Sequence, residues 1–114
     1  MSLTAFDIEI IEEIKSMIIA DLQVHHSIGY LASKAGMSES RLKECFKQVV
    51  KTSIYAYLKE RRMQLAATLL EQSDEDLQQV SKSIGFRYYS NFTRAFKKHY
   101  GVTPGIYRNS HKNN

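Results

Sequence analysis

The sequence is poor in the residues that break helices or cross-link chains: it has one proline, one cysteine and five glycines. The lone Cys45 excludes an intramolecular disulfide and a cysteine-based metal cluster, and it fits a reducing compartment. So little proline leaves long stretches free to be helical. Strand signals are nearly absent, since no Asn-Gly or Asp-Gly turn sits between alternating runs. No run approaches the 18 or so apolar residues of a membrane span and no signal peptide opens the chain, so a cytoplasmic protein that touches no membrane is expected. No glycine-rich phosphate loop and no Ser/His/Asp or Cys/His order stands out, which leaves an enzyme without a constellation to carry it. His25-His26 lacks metal-ligand spacing and reads as a loop pair, and no cofactor is expected.

Carboxylates are the next scarcity. The last one is Asp76; after it come Lys82, Arg87, Arg94, Lys97, Lys98, Arg108 and Lys112 with nothing to balance them. The N-terminal segment is the reverse, with Asp7, Glu9, Glu12, Glu13 and Asp21 against Lys15 alone. The net charge of +4 and pI near 9.2 favour a polyanionic partner without identifying one. The polarisation says more: one end of the chain repels phosphate and the other attracts it.

What is present is helical punctuation. Thr4 with Asp7 suits the start of a first helix, and Ile8, Ile11, Ile14, Ile18 and Ile19 form a stripe expected to be buried, running to about Asp21. Ser27 and Gly36 bracket a helix over about 28–35, and Ser38 starts one over 39–49. Ser53 or Thr52 opens a long helix over 54–72, which the polar run Ser73-Asp74-Glu75-Asp76 ends. Helices over about 77–84 and 89–100 follow, closed by Gly85 and Gly101, and Thr103-Pro104 begins a last short one.

Within this pattern lies a weak internal repeat. The heptapeptide starting at Leu31 resembles the one starting at Val80 at an offset of 49. At an offset of 50, Leu42, Cys45, Phe46 and Val49 correspond to Phe92, Ala95, Phe96 and His99, and Phe46-Lys47 recurs as Phe96-Lys97. A short helix, a glycine turn and a second helix, given twice, is the form of tandem helix-turn-helix units. The expected fold is all-α. It has two helix-turn-helix subdomains of about three homeodomain-like helices each, over 5–53 and 73–108, joined by a linker helix over 54–72. Residues 1–3 read as the remnant of a cut in a longer protein and 109–114 as a flexible tail.

The second helix of each repeat has two faces. Phe92, Ala95, Phe96 and His99 are expected to face the core. Ser90, Thr93, Arg94 and Lys97 lie opposite, and Ser40, Lys43, Glu44 and Lys47 are their counterparts. A helix that enters a DNA groove needs such a face, with hydrogen-bonding groups for base edges and cations for phosphates. Arg94 is the strongest base-contact candidate, being long, bidentate and central; a salt bridge to the linker helix is the alternative. Lys97 suits phosphate. Tyr89 either abuts the backbone or packs on Phe92 or Phe86, and Arg41 flanks the first stripe within reach of phosphate. Glu44 either accepts from a cytosine amino group or excludes wrong sequences. Plain solvent surface accounts for either stripe taken alone; two at equivalent positions, one in an acid-free segment, favour binding. A 19-residue linker helix spans roughly 28 Å, compatible with major-groove faces about 34 Å apart. A helical protein-interaction module that has lost DNA binding is the competing reading, and the acidic first helix supports it.

Ile84-Gly85-Phe86, the stretch Tyr89 to Lys98, Tyr100-Gly101-Val102-Thr103-Pro104 and Tyr107-Arg108 resemble the C-terminal signature of the AraC/XylS family of transcriptional regulators. Leu31-Ala32, Gly36-Met37-Ser38, Leu42, Phe46-Lys47, Tyr57-Leu58, Arg62-Met63 and Ala66 continue the match, which covers about residues 5–108. The resemblance implies a bipartite domain whose two recognition helices enter adjacent major grooves of double-stranded DNA. It also implies activation of transcription, often through contact with RNA polymerase, and a separate N-terminal domain in most members. A monomer is expected for this chain, with dimers open to a full-length protein. Ser81 departs from the family, which has alanine there; a bond from its hydroxyl to the i−4 carbonyl would accommodate it. Arg62 reads as part of a structural ion pair and His99 as a core contact.

Overall fold

The computed structural model describes residues 2–111, and Lys112 to Asn114, within the expected tail, lie outside them, as does Met1. The described residues form seven helices: α1 (Ala5–Ala20), α2 (Ile28–Ala35), α3 (Glu39–Val50), α4 (Ile54–Gln72), α5 (Leu77–Ser83), α6 (Tyr89–Tyr100) and α7 (Pro104–His111). No strand is found among the described residues. They divide into two units that part between Lys59 and Glu60, so the boundary falls inside α4. The long helix is therefore shared between the units. Its first turn puts Ile54 into the buried set and Tyr57 edge-on to Phe46 at 5.7 Å, while Met63, Ala66 and Leu70 belong to the second core.

In the first unit, α1 starts with a reciprocal capping box. The Asp7 amide donates to Thr4 Oγ1 and the Thr4 amide to Asp7 Oδ2, each at 3.0 Å. Ile11, Ile14 and Ile18 are buried with Leu31, Ala35, Leu42, Cys45 and Phe46. The expected stripe on α1 proves too wide: Ile8 and Ile19 are exposed, at 44% and 37%. They lie well round the helix from the line through Ile11 and Ile18, and periodicity locates the centre of a buried face better than its edges.

The second unit is built on Met63, Ala66, Leu70, Val80, Ile84, Phe92 and Phe96, with Tyr89, Tyr100 and Tyr107 partly buried against them. Here too one inward position shifts. His99 is exposed, and Tyr100 takes the place expected for it, its ring 4.6 Å from that of Phe96. The inward line runs Phe92, Phe96, Tyr100 in steps of four, and the Tyr100 hydroxyl donates to the Met63 carbonyl at 3.2 Å. Helix α7 begins with Thr103 as cap and buried Pro104, and it runs to His111, so residues 109–111 of the expected tail are helical. Arg108 does not face solvent as a free cation. Its guanidinium donates to the carbonyls of Leu70 at 3.2 Å, Glu75 at 2.6 Å and Leu69 at 3.5 Å, closing the C-terminal end of α4.

The internal repeat extends to the hydrogen bonds. After α2, Gly36 N–H bonds Ser33 O and Met37 N–H bonds Ala32 O; after α5, Gly85 N–H bonds Lys82 O and Phe86 N–H bonds Ser81 O. All four bonds obey the offset of 49 read from the sequence. The second helices end alike, Lys51 N–H on Lys47 O and Gly101 N–H on Lys97 O. Both closing residues have positive φ, 74° and 83°, which glycine accepts freely and lysine does not.

Candidate nucleic-acid interface

Each unit presents a helix-turn-helix pair, α2 with α3 and α5 with α6, and the second member of each pair carries the candidate residues. On α3 the Ser38 side chain accepts the Arg41 amide at 3.2 Å, fixing the first turn. Leu42, Cys45 and Phe46 face inward and are fully buried. Burial pushes the Cys45 thiol up from its ordinary pKa, as suits a packed side chain. The opposite face brings Ser40, Lys43, Glu44 and Lys47 together, all exposed. Its two cations are set against one carboxylate, and Glu39 in the first turn adds another.

Arg41 is half-exposed and paired with a buried acid. Its Nη2 lies 2.9 Å from Asp7 Oδ2, and the Asp7 side chain is only 9% exposed. The Thr4 backbone N–H is the chief group holding the Asp7 carboxyl below its usual pKa; partial desolvation opposes it, and the Thr4 hydroxyl and Arg41 reinforce it.

Helix α6 has a cleaner face. Ser90, Arg94, Lys97 and Lys98 are exposed, and no carboxylate occurs on α6 or α7. Arg94 Nη1 donates to Asn91 Oδ1 at 3.2 Å within its own helix, so the guanidinium is held at the surface. Thr93 is half-buried and its hydroxyl donates back to the Tyr89 carbonyl at 3.1 Å. Tyr89 packs inward, its ring 6.3 Å from that of Phe92. The last turn carries Lys97, Lys98 and His99, which suits the negative end of the helix dipole.

Sequence reasoning passed over the approach to α6. Tyr88 occupies the N-cap position without a side-chain cap, is 57% exposed, and has the Arg87 guanidinium 5.4 Å from its ring centroid. An arginine and an exposed aromatic stand beside the uncapped positive end of the helix. The signal available in the sequence was the lack of Ser, Thr, Asp or Asn before Tyr89. Ser81 also differs from expectation: it is buried at 1%, and its Oγ has no hydrogen-bond partner among the described residues, so the bond to the i−4 carbonyl does not form. Arg62 is buried.

Residues 31–110 match the model of a family described as a helix-turn-helix domain. The chain is 35% identical over 82 residues to the HTH-type transcriptional regulator MtrA of Neisseria gonorrhoeae, a match covering 72% of this chain and 27% of that protein. It thus spans little more than a quarter of that relative's length. Among solved structures, the DNA-binding domain of AdpA, a global transcriptional factor captured with a target DNA, superposes with a TM-score of 0.83 at 25% identity, covering 88% of this chain and 90% of that one. A transcriptional regulator of the AraC-type DNA-binding domain class from Chromobacterium violaceum gives 0.82 at 26% identity, covering 95% and 96%. With its paired helix-turn-helix units and this set of relatives, the chain belongs to the AraC/XylS family of DNA-binding transcriptional regulators.

Proposed function

We propose that this chain is the DNA-binding part of a longer cytoplasmic activator, and that it seats α3 and α6 in successive major grooves of one asymmetric site. The observation that carries the reading is the outward face of α6, where Ser90, Arg94 and Lys97 stand exposed in a stretch free of carboxylates. Arg94 reads a base edge, with a fork that matches the two acceptors of guanine. Ser90 reaches a base or a phosphate, Lys97 binds phosphate, and Thr93 and Tyr89 set the register of the helix. Arg87 and Tyr88 flank the same backbone. On α3, Ser40, Lys43 and Lys47 make the corresponding contacts. Glu44 disfavours sequences that offer it no cytosine amino group. The chain acts as a monomer, and the outward side of α1, with Glu9, Glu12 and Glu13, is free to meet RNA polymerase.

Selection of bound sites from random duplexes, followed by titration of the chosen site, tests this reading. Binding in the nanomolar range that falls steeply with salt is expected. Arg94→Ala should cost about 1–3 kcal/mol and relax discrimination at one base pair. If no duplex is held better than bulk competitor at low salt, the scaffold is a protein-interaction module instead.

A further inference from the structure

We propose that Asp7 is a positioning residue: it withholds Arg41 from the DNA backbone, so that α3 binds through Ser40, Lys43 and Lys47 without a further phosphate contact from Arg41. The inference rests on the DNA-binding reading above. Arg41 stands in the first turns of α3, between Ser40 and Leu42, where a long cation is within reach of phosphate in a groove-inserted helix. Its side chain is 40% exposed, yet its guanidinium is held 2.9 Å from a carboxylate whose own side chain is 9% exposed. That carboxylate is itself fixed: Oδ2 also accepts the Thr4 amide, and the Asp7 backbone is tied to Thr4 Oγ1. A loose surface pair would yield to phosphate at little cost, since such pairs are worth a few tenths to one kcal/mol. This one is preorganised on the acceptor side and partly desolvated, so phosphate has to displace a partner already in place. The acid on α1 thereby acts as an internal stand-in for a phosphate, and α1 contributes to recognition without touching DNA.

The salt dependence of binding to the selected duplex reads this out. Each phosphate contact makes affinity fall about threefold more between 50 and 200 mM salt. Asp7→Asn keeps an oxygen for the Thr4 amide and loses only the charge. It should steepen the dependence by one such contact, for selected and random DNA alike, and leave the ratio between them unchanged. Arg41→Gln alone should leave the slope as in the unmodified chain, and Asp7→Asn combined with Arg41→Gln should return it there. A structural role for Asp7 would move the melting temperature and not the slope. An unchanged slope in Asp7→Asn, or a slope lowered by one contact in Arg41→Gln, overturns the proposal. The second outcome also stands if the Asp7 variant does not fold. An unmodified chain without a preferred duplex refutes the DNA-binding reading itself, a result distinct from either.

Discussion

Replacing Ser81 with alanine should stabilise the second unit by about 1–2 kcal/mol. The serine is 1% exposed, and its hydroxyl finds no acceptor among the described residues. A hydroxyl buried without a partner costs roughly 1–3 kcal/mol on the scale set by protein mutations. Alanine is also the better helix former, by up to about 0.5 kcal/mol. Against these gains stands the space left by one oxygen, smaller than the methyl-sized void that costs about 1 kcal/mol. The backbone bond from Phe86 N–H to the Ser81 carbonyl is untouched by the change. The repeat supplies an internal precedent, because Ala32 occupies the equivalent place in the first unit and is buried there too. Thermal unfolding followed by circular dichroism should show the transition of the second unit raised by about 4–8 °C per kcal/mol. An unchanged or lowered midpoint would mean that the hydroxyl makes a bond of full value, and the reasoning would fail.

Lys51→Gly should stabilise the first unit by roughly 0.5–1 kcal/mol, as relief of the left-handed strain outweighs the greater freedom of glycine in the unfolded chain; urea titration measures it. Arg108→Ala should destabilise the second unit by about 2 kcal/mol, because three backbone carbonyls lose a charged donor, and Arg108→Lys should recover little of this because an ammonium lacks the fork that spans them. Tyr107 is pushed up to about 12 by burial, by its hydrogen bond to Glu71 and by that carboxylate's charge. A raised tyrosine pKa gives stability that is whole below the unfolded value near 10 and lost as pH climbs from there to about 12. Glu71→Gln should therefore lower the phenol titration seen by ultraviolet absorbance and narrow that window.

The architecture was legible because local chemistry marks it. Ser27 with Gly36, Ser53, and Gly101 bracket α2, α4 and α6 at the residues where those helices begin and end. Faces were legible at their centres, Phe92 and Phe96 or Ile11 and Ile18, and misread at their margins, where a helix of 3.6 residues per turn lets Tyr100 rather than His99 finish an inward line. The candidate interface was legible as two polar stripes. One cation counted toward it, Arg41, is paired with Asp7, and Arg108 of the acid-free run is spent on the end of α4. Such pairings join residues more than thirty positions apart, and no local pattern announces them. Helix α4 read as a linker because its length and caps are those of a connector. That its two ends serve different cores depends on what Tyr57 and Met63 each pack against.

The repeat turns these departures into a test of what each is for. Ser81 stands where the first unit has Ala32, and Lys51 stands where the second has Gly101. Both are the less stable choice at their position, by different mechanisms. Ser81 is sealed in the core and can touch no ligand, so its alanine variant should gain stability and leave DNA affinity and its salt slope unchanged. Lys51 is exposed and puts a cation one turn beyond Lys47 on the closing residue of α3. Strain kept at a surface site in this way is the kind that function repays. Lys51→Gly should therefore gain stability and lose one phosphate contact's worth of salt dependence, about threefold in affinity between 50 and 200 mM salt. If both variants gain stability and neither changes binding, Lys51 is a tolerated defect like Ser81, and the first unit holds DNA without help from the end of its recognition helix.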